Sequence, residues 1–167
     1  MIVVADSGPL IHLASVNQFS LLQRFFHTVH TIPQVYEEVV AQGQGRAGDF
    51  EMRQALQERW VLVNAVDDSA LIRRFIAASV SATDAAVLAC AVTRKATLLL
   101  ADDVVVREMA RRERLAVTGT VGILVQARVE GFVDRLRPLL DQLIASGFYL
   151  DRGGSVYQDA LKRVGEL

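Results

Sequence analysis

The chain opens with the stretch Met1-Ile-Val-Val-Ala-Asp-Ser-Gly-Pro-Leu10, in which an apolar run stops at a carboxylate. The three residues after the first are β-branched and show no polar alternation, which predicts a strand buried on both faces, as in a parallel sheet. The Ser-Gly-Pro that follows predicts a helix start, because Ser caps free backbone N–H groups and Pro fits the first turn. Asp6 is therefore expected at the carboxyl end of a strand, where ligands bind in α/β sheets. Simple capping of the following helix is the alternative role for Asp6.

Length and composition indicate one globular domain. The 167 residues are 51% hydrophobic, enough for a sizeable core. No apolar run approaches the roughly 18 residues of a membrane span. A signal peptide has a basic segment followed by a small-residue cleavage site, and the first residues show neither. We therefore expect a cytoplasmic location. The net charge of −1 excludes strong whole-molecule attraction to nucleic acid, and any such binding must use a local patch.

Strand-like and helix-like segments alternate along the rest of the chain. Further strands are predicted at residues 29–32, 60–63, 97–101 and 116–118. This alternation predicts the α/β class, with a mostly parallel central sheet flanked by helices. We assign residues 1–150 to this domain and 151–167 to a C-terminal helix that packs on the domain or on a partner. Residues 148–150 are expected to add an edge strand.

Acidic residues recur where the predicted elements meet. The strand at 97–101 ends in Asp102 and Asp103, as the first strand ends in Asp6, so one sheet edge gathers carboxylates. Asp84 is the only charge at the start of a strongly apolar helix. Because Thr83 can cap that helix alone, we interpret Asp84 as a site residue.

Glu37 and Glu38 lie in the first turns of the helix that Pro33 begins. A Glu near a helix N-terminus is favourable by about 0.3–1 kcal/mol, which is a sufficient structural reason for one of them. Adjacent helical residues point about 100° apart, so only one of the pair can serve the site.

Carboxylates gathered at one edge repel one another. Like charges about 4 Å apart cost on the order of 4 kcal/mol at an effective dielectric of 20, so a divalent cation is expected between them. Oxygen-only ligands favour Mg²⁺ or Mn²⁺ over Zn²⁺. The candidate metal ligands are Asp6, Asp84, Asp102 and Asp103. Strand alternation lets at most one of Asp102 and Asp103 face the site, and the other can cap the next helix.

Five segments of the chain resemble the PIN-domain ribonucleases, and especially the VapC-like toxins of prokaryotic toxin–antitoxin pairs. The segments are Val-Val-Ala-Asp6-Ser7, Ile-Pro-Gln-Val-Tyr-Glu-Glu38-Val, Asp84 before an Ala-rich helix, Leu-Leu-Ala-Asp-Asp103 and Gly119-Thr-Val-Gly-Ile-Leu. The resemblance covers most of the chain. It implies a metal-dependent endoribonuclease that cuts single-stranded or loop RNA. It further implies that Asp6, Glu38, Asp84 and Asp103 are the catalytic acids and that Ser7 holds a ligand or water.

One position departs from that pattern. The segment Gly119-Thr-Val-Gly-Ile-Leu resembles one subgroup of these domains, and much of that subgroup carries Gly-Glu where this chain has Thr83-Asp84. Because Asp is one methylene shorter than Glu, the reach of that ligand is reduced. The resemblance favours Asp103 over Asp102 as the ligand by its distance from the strand, whereas simple N-cap geometry assigns Asp103 to the cap.

The resemblance also implies three partners: an RNA substrate, a cognate antitoxin protein and a second copy of the chain in a homodimer or higher homo-oligomer. The apolar content of residues 136–150 supports self-association. The RNA backbone is expected to contact the densest basic run, namely Arg107, Arg111, Arg112 and Arg114. A solvated helix face is the alternative interpretation of that run.

Two other classes of protein share some of these features. A phosphoacceptor receiver domain gathers acids at strand ends but needs a Lys after a late strand, where this chain has Thr118 and Gly119. A catalytically inactive PIN-like module that binds nucleic acid or protein fits the same residues.

Overall fold

A five-stranded parallel sheet forms the centre of the computed structural model, which describes residues 1–167. The strands lie in the spatial order β3-β2-β1-β4-β5, and every neighbouring pair is parallel. The strands are β1 Val3–Ala5, β2 Val29–Thr31, β3 Val61–Val63, β4 Leu98–Leu100 and β5 Val117–Thr118. The predicted α/β class with a parallel sheet is confirmed.

Ten α-helices connect and flank the strands. In chain order they are α1 Ser7–Ser15, α2 Ser20–Phe26, α3 Pro33–Tyr36, α4 Asp49–Gln57, α5 Ser69–Ala77, α6 Ala82–Thr93, α7 Val104–Arg112, α8 Thr120–Val129, α9 Arg137–Ala145 and α10 Ser155–Arg163. A π-helical turn, Glu37–Ala41, continues α3. None of the helices is long and apolar enough to cross a membrane.

The first strand occupies the middle of the sheet because it is apolar on both faces. Val3, Val4 and Ala5 are completely buried, with β2 on one side and β4 on the other. The chain builds the β2 and β3 side first and then crosses to β4, so the strand order reverses between β1 and β4. In open α/β sheets this switch point is where a crevice forms at the carboxyl ends of the strands.

The expected edge strand at residues 148–150 is wrong. These residues form no strand, and β3 and β5 are the two edges of the sheet. The N–H of Phe148 instead donates to the carbonyl of Leu143, which closes the end of α9. The segment then runs over the carboxyl edge of the sheet, where the Phe148 ring packs edge-on against His12 at 4.7 Å.

The apolar residues of α9 belong to the core of the chain itself. Leu136, Leu140 and Leu143 are completely buried. The apolar content of residues 136–150 is therefore accounted for without a partner, and this argument for self-association is wrong.

The last helix joins the same core through Tyr157, Ala160 and Leu161, which are all buried. Glu166 follows α10 and accepts hydrogen bonds from the N–H groups of Leu136 and Arg137 at 2.7 and 2.9 Å. These bonds satisfy free donors at the start of α9. Residues 151–167 thus pack on the preceding domain.

Candidate active site

Asp6 lies at the carboxyl end of β1, where the apolar run of the sequence stops. Its N–H donates to the carbonyl of Leu100 at 2.9 Å, which anchors it between β1 and β4. Its Oδ1 accepts the N–H of Ser7 at 2.8 Å and so caps α1. Only 7% of Asp6 is exposed. Asp6 therefore both caps α1 and lies in the crevice at the carboxyl edge of the sheet.

An open cavity of about 620 Å³ lies at this edge of the sheet, and we call it the acidic pocket. Its polar lining contains all six acidic and hydroxyl residues that the sequence assigns to catalysis, metal binding or support. They are Asp6, Ser7, Glu38, Asp84, Asp102 and Asp103. Residues from four elements separated widely in the chain therefore meet in one place.

The two helical acids reach the pocket in different ways. Asp84 is half-buried in the first turn of α6, and its N–H donates to Oγ of Ser81 at 3.2 Å. Ser81 is therefore the cap of α6, and the expectation that Thr83 fills that role is wrong. Glu38 is exposed on the π-helical turn and lines the acidic pocket, whereas Glu37 does not. A π-helical turn changes the direction of successive side chains, and such turns are frequent at functional sites.

Asp103 caps α7. Its Oδ1 accepts the N–H groups of Val105 and Val106 at 2.8 and 3.1 Å, and its Oδ2 accepts no hydrogen bond from the protein. The prediction from N-cap geometry that Asp103 caps this helix is therefore confirmed. The free Oδ2 leaves Asp103 able to bind a cation as well.

Asp102 is held by hydrogen bonds on both oxygens. Its Oδ1 accepts the N–H of Thr120 at 2.7 Å, and its Oδ2 accepts the Thr120 hydroxyl at 2.7 Å and Nδ1 of His12 at 2.9 Å. A carboxylate can only accept here, so Nδ1 of His12 carries the proton. A Cβ on Gly119 would lie 2.6 Å from Oδ1 of Asp102, which explains the glycine at this position. Asp102 therefore joins α1 and α8 to the end of β4.

Burial and mutual repulsion both act on the acids of the pocket. Burial raises the pKa of Asp6 to about 6; the Ser7 N–H opposes this, and the charges of Asp84, Glu38 and Asp102 add to it. Burial also raises the pKa of Asp84, against the effect of the Ser81 hydroxyl. The charge of Asp103 contributes in the same direction. The site is thus a place where negative charge is costly and a cation is favoured.

The substitution Asp6→Asn should raise the free energy of unfolding by up to about 3 kcal/mol near pH 8 without divalent metal. The raised pKa of Asp6, about 6 against 3.8, means that the native state binds its proton more tightly than the unfolded chain does. That stabilising contribution is complete below about pH 4 and is lost as the pH rises through about 6. Since Asn stays neutral, its advantage should grow across this window. Urea unfolding in EDTA at several pH values measures it, and an advantage that does not vary with pH would contradict the assignment.

The donor set fits a divalent cation of the Mg²⁺ type, because it consists of carboxylate and hydroxyl oxygens. No group of three or more His, Cys, Asp or Glu side chains is close enough in this structure to hold one ion jointly. Mg²⁺ commonly uses one or two carboxylates and keeps several waters, so joint coordination by three is not required. Asp6, Asp84 and Asp103 all line the acidic pocket, so a pair of them would be the ligands of such an ion.

The four predicted RNA-binding arginines are not brought together at the pocket. Arg107 is half-buried beside Asp102, and its guanidinium donates to the carbonyl of Ala101 at 3.1 Å. Arg111, Arg112 and Arg114 are exposed at the far end of α7 or just beyond it. With a rise of about 1.5 Å per residue, that end lies about 12 Å from Asp103.

Sequence reasoning missed His12 and Thr120 as parts of the site. The sequence indicates only a partly buried helix residue at His12, and its side chain is 28% exposed. Its role depends on a contact with Asp102, which is far away in the chain, so no local pattern could show it. The Gly-Thr-Val-Gly turn after β5 was the available signal for Thr120.

The acidic pocket lies at the switch point of a parallel α/β sheet, which is where ligands bind in proteins of this class. The model of the PIN domain family matches residues 2–166. The chain therefore belongs to the PIN-domain family. PIN domains are usually nucleases that bind nucleic acid and generally use divalent metal ions. No curated protein matches the chain.

Proposed function

We propose that the chain is a Mg²⁺- or Mn²⁺-dependent endoribonuclease that hydrolyses phosphodiester bonds in RNA. The observation that carries the proposal is the convergence of Asp6, Glu38, Asp84 and Asp103 on one pocket, where burial raises the pKa of Asp6. Buried carboxylates that repel one another are stabilised by a bound cation.

Each side chain has a distinct part in this proposal. Asp6 together with either Asp84 or the free Oδ2 of Asp103 would hold the cation, and Glu38, which is exposed at the rim, accepts a proton or orients water. Ser7 holds a ligand or water. When bound, the ion neutralises charge on the phosphodiester and makes water more acidic. Asp102 fixes the floor of the pocket through Thr120 and His12.

Cleavage of a panel of single-stranded and hairpin RNAs tests the proposal. We expect cleavage with Mg²⁺ or Mn²⁺ and none in EDTA. Internal cuts in a strand blocked at both ends would distinguish an endonuclease from an exonuclease. Cleavage that continues undiminished in EDTA would refute the role of the cation.

The arginines of α7 give a separate prediction. Replacing Arg111, Arg112 and Arg114 by Gln should weaken RNA binding and flatten its dependence on salt, because each bound phosphate releases counterions. The slope of log K against log salt should fall by about 0.7 for each phosphate of a single strand that the protein no longer binds. Fluorescence anisotropy at several salt concentrations measures the slope. An unchanged slope would show that these residues only form a solvated helix face.

The resemblance to VapC-like toxins supports a more specific biological role. We propose a cytoplasmic toxin that self-associates and is silenced by an antitoxin whose segment enters the acidic pocket. Light scattering of the purified chain measures self-association. Purification from the native operon shows whether a small partner protein copurifies.

A second candidate function is a PIN-like module that binds RNA or protein without cleaving it. The observation that favours it is that no three of the carboxylates are close enough to hold one ion jointly in this structure. RNA binding without cleavage across the same panel would support the binding module.

A further inference from the structure

A second cavity, of about 500 Å³, lies beside the acidic pocket, between the start of α7, the start of α8 and the segment that leads into α10. We call it the aromatic pocket. Its lining includes Val104, Arg107, Phe148, Tyr149, Leu150 and Val156. The volume falls within the range of about 300–1,000 Å³ that is usual for sites of small organic ligands.

The two cavities are adjacent. Asp102, Val104, Phe148 and Tyr149 line both of them. A polymer with one phosphate in the acidic pocket therefore has its neighbouring residues beside the aromatic pocket.

Tyr149 is the most exposed large hydrophobic side chain of the protein, with 96% of its surface open to solvent. Phe148 anchors the segment by packing against His12, and Tyr149 lies next to it in the lining of the cavity. Val104 and Val156, also in the lining, are 72% and 58% exposed. Exposed apolar side chains that gather around one cavity indicate a surface that binds a partner.

The charges of the aromatic pocket favour a neutral ligand with polar edges. Arg107 contributes one cation and forms no salt bridge, while its guanidinium donates to the carbonyl of Ala101. Two carboxylates oppose it: Asp102, which is bound to Thr120, and Asp151, whose Oδ1 accepts the N–H of Gly153 at 2.9 Å. A phosphate would gain little there. A nucleobase presents a flat apolar face together with donors and acceptors at its edge.

We propose that the aromatic pocket holds the unpaired base of a nucleotide next to the scissile phosphate, with that base stacked on Tyr149. The inference rests on the proposed ribonuclease function for its class of ligand. A base can reach the pocket only from a single strand or a loop, which is the class of RNA that the resemblance implies. Stacking of bases on aromatic side chains tolerates many sequences, so the pocket selects unpaired structure more than sequence.

The test measures binding of a fluorescein-labelled single-stranded RNA to the Asp6→Asn chain with Mg²⁺ present. Adding Tyr149→Ala should weaken binding by about 5- to 150-fold, the usual range for removal of one stacked base. Tyr149→Phe should bind like the parent because it keeps the ring. Phe50→Ala is the matched control, since Phe50 is 72% exposed and lines neither pocket. Since Tyr149 is almost wholly exposed, the chain should fold normally without its ring.

A strand that lacks bases but keeps the sugars and phosphates provides the decisive comparison. With that abasic strand, Tyr149→Ala and the parent should bind equally well. If Tyr149→Ala still weakens binding of the abasic strand, the pocket holds backbone rather than a base, and the proposal is overturned. Equal affinity of Tyr149→Ala and parent for the normal strand overturns it as well.

The two proposals can fail separately. A chain that never cleaves RNA but shows binding dependent on the Tyr149 ring would refute the ribonuclease function and leave the base pocket standing. A chain that cleaves RNA but keeps its affinity for RNA after Tyr149→Ala would support the ribonuclease function and refute the base pocket.

Discussion

Asp6→Asn is expected to reduce metal-dependent RNA cleavage by about 100-fold or more while the chain remains folded. Removing one group that stabilises charge at a reacting centre typically costs 10²–10³ in rate. Asp6 is the most buried acid of the pocket, and its pKa of about 6 reflects that burial and its acidic neighbours. Asn keeps the size of the side chain and an oxygen that can accept the Ser7 N–H, so the cap of α1 survives. Initial rates with Mg²⁺ and circular dichroism together measure the effect.

A control for this result is Asp67→Asn, which makes the same chemical change on an exposed acid outside the acidic pocket. Its cleavage rate should match that of the unmodified chain. Full activity of Asp6→Asn would show that the acidic pocket is not the catalytic centre. An unfolded Asp6→Asn chain would contradict the expectation that removing a buried charge is stabilising.

Replacing Asp102 by Ala is expected to destabilise the chain more than replacing Asp103 does. Asp102→Ala should lower the free energy of unfolding by about 2–4 kcal/mol, because it removes the acceptor of three hydrogen bonds to a charged group. Asp103→Ala removes only a helix cap and should cost about 1 kcal/mol. Urea unfolding of the two variants in EDTA compares them. Equal destabilisation would show that the bonds from Thr120 and His12 contribute no more to stability than the helix cap does.

The Asn variants of the same pair separate activity from stability. Asp103→Asn keeps an oxygen for the cap but loses the charge beside the pocket, so metal-dependent cleavage should fall sharply. Asp102→Asn should keep most of the cleavage, since both of its oxygens are already engaged by the protein. The opposite pattern would transfer the ligand role to Asp102. An equal fall in both would mean that the two carboxylates act together.

The features predicted well from sequence are those that local pattern controls. The apolar run before Asp6 predicts a central strand, and it is the middle strand of the sheet. The alternation of elements predicts the α/β class, and the resemblance predicts the PIN family, which is confirmed. Acids at the ends of buried parallel strands must meet at one edge, so the structure places Asp6, Asp102 and Asp103 together at the acidic pocket.

The features that sequence could not predict depend on contacts between distant residues. His12 and Thr120 bind Asp102 from two different helices, and neither helix carries a local sign of that contact. The pairing partner of a strand is also a long-range property, so residues 148–150 could not be excluded from the sheet by pattern. The sequence predicts an ordinary helix from Pro33 onward, whereas Glu37–Ala41 form a π-helical turn for which no sequence pattern gave a signal.

The position of β1 also bears on how the chain folds. The middle strand of the sheet precedes the other four strands along the chain, yet Val3 pairs with Leu98, far along the chain. Contacts between such distant residues form slowly because a long loop must close first. The acidic pocket cannot exist until β4 docks beside β1, so a nascent chain that has not yet reached β4 has no complete site. The topology itself thereby delays any activity of this edge until β4 has been made.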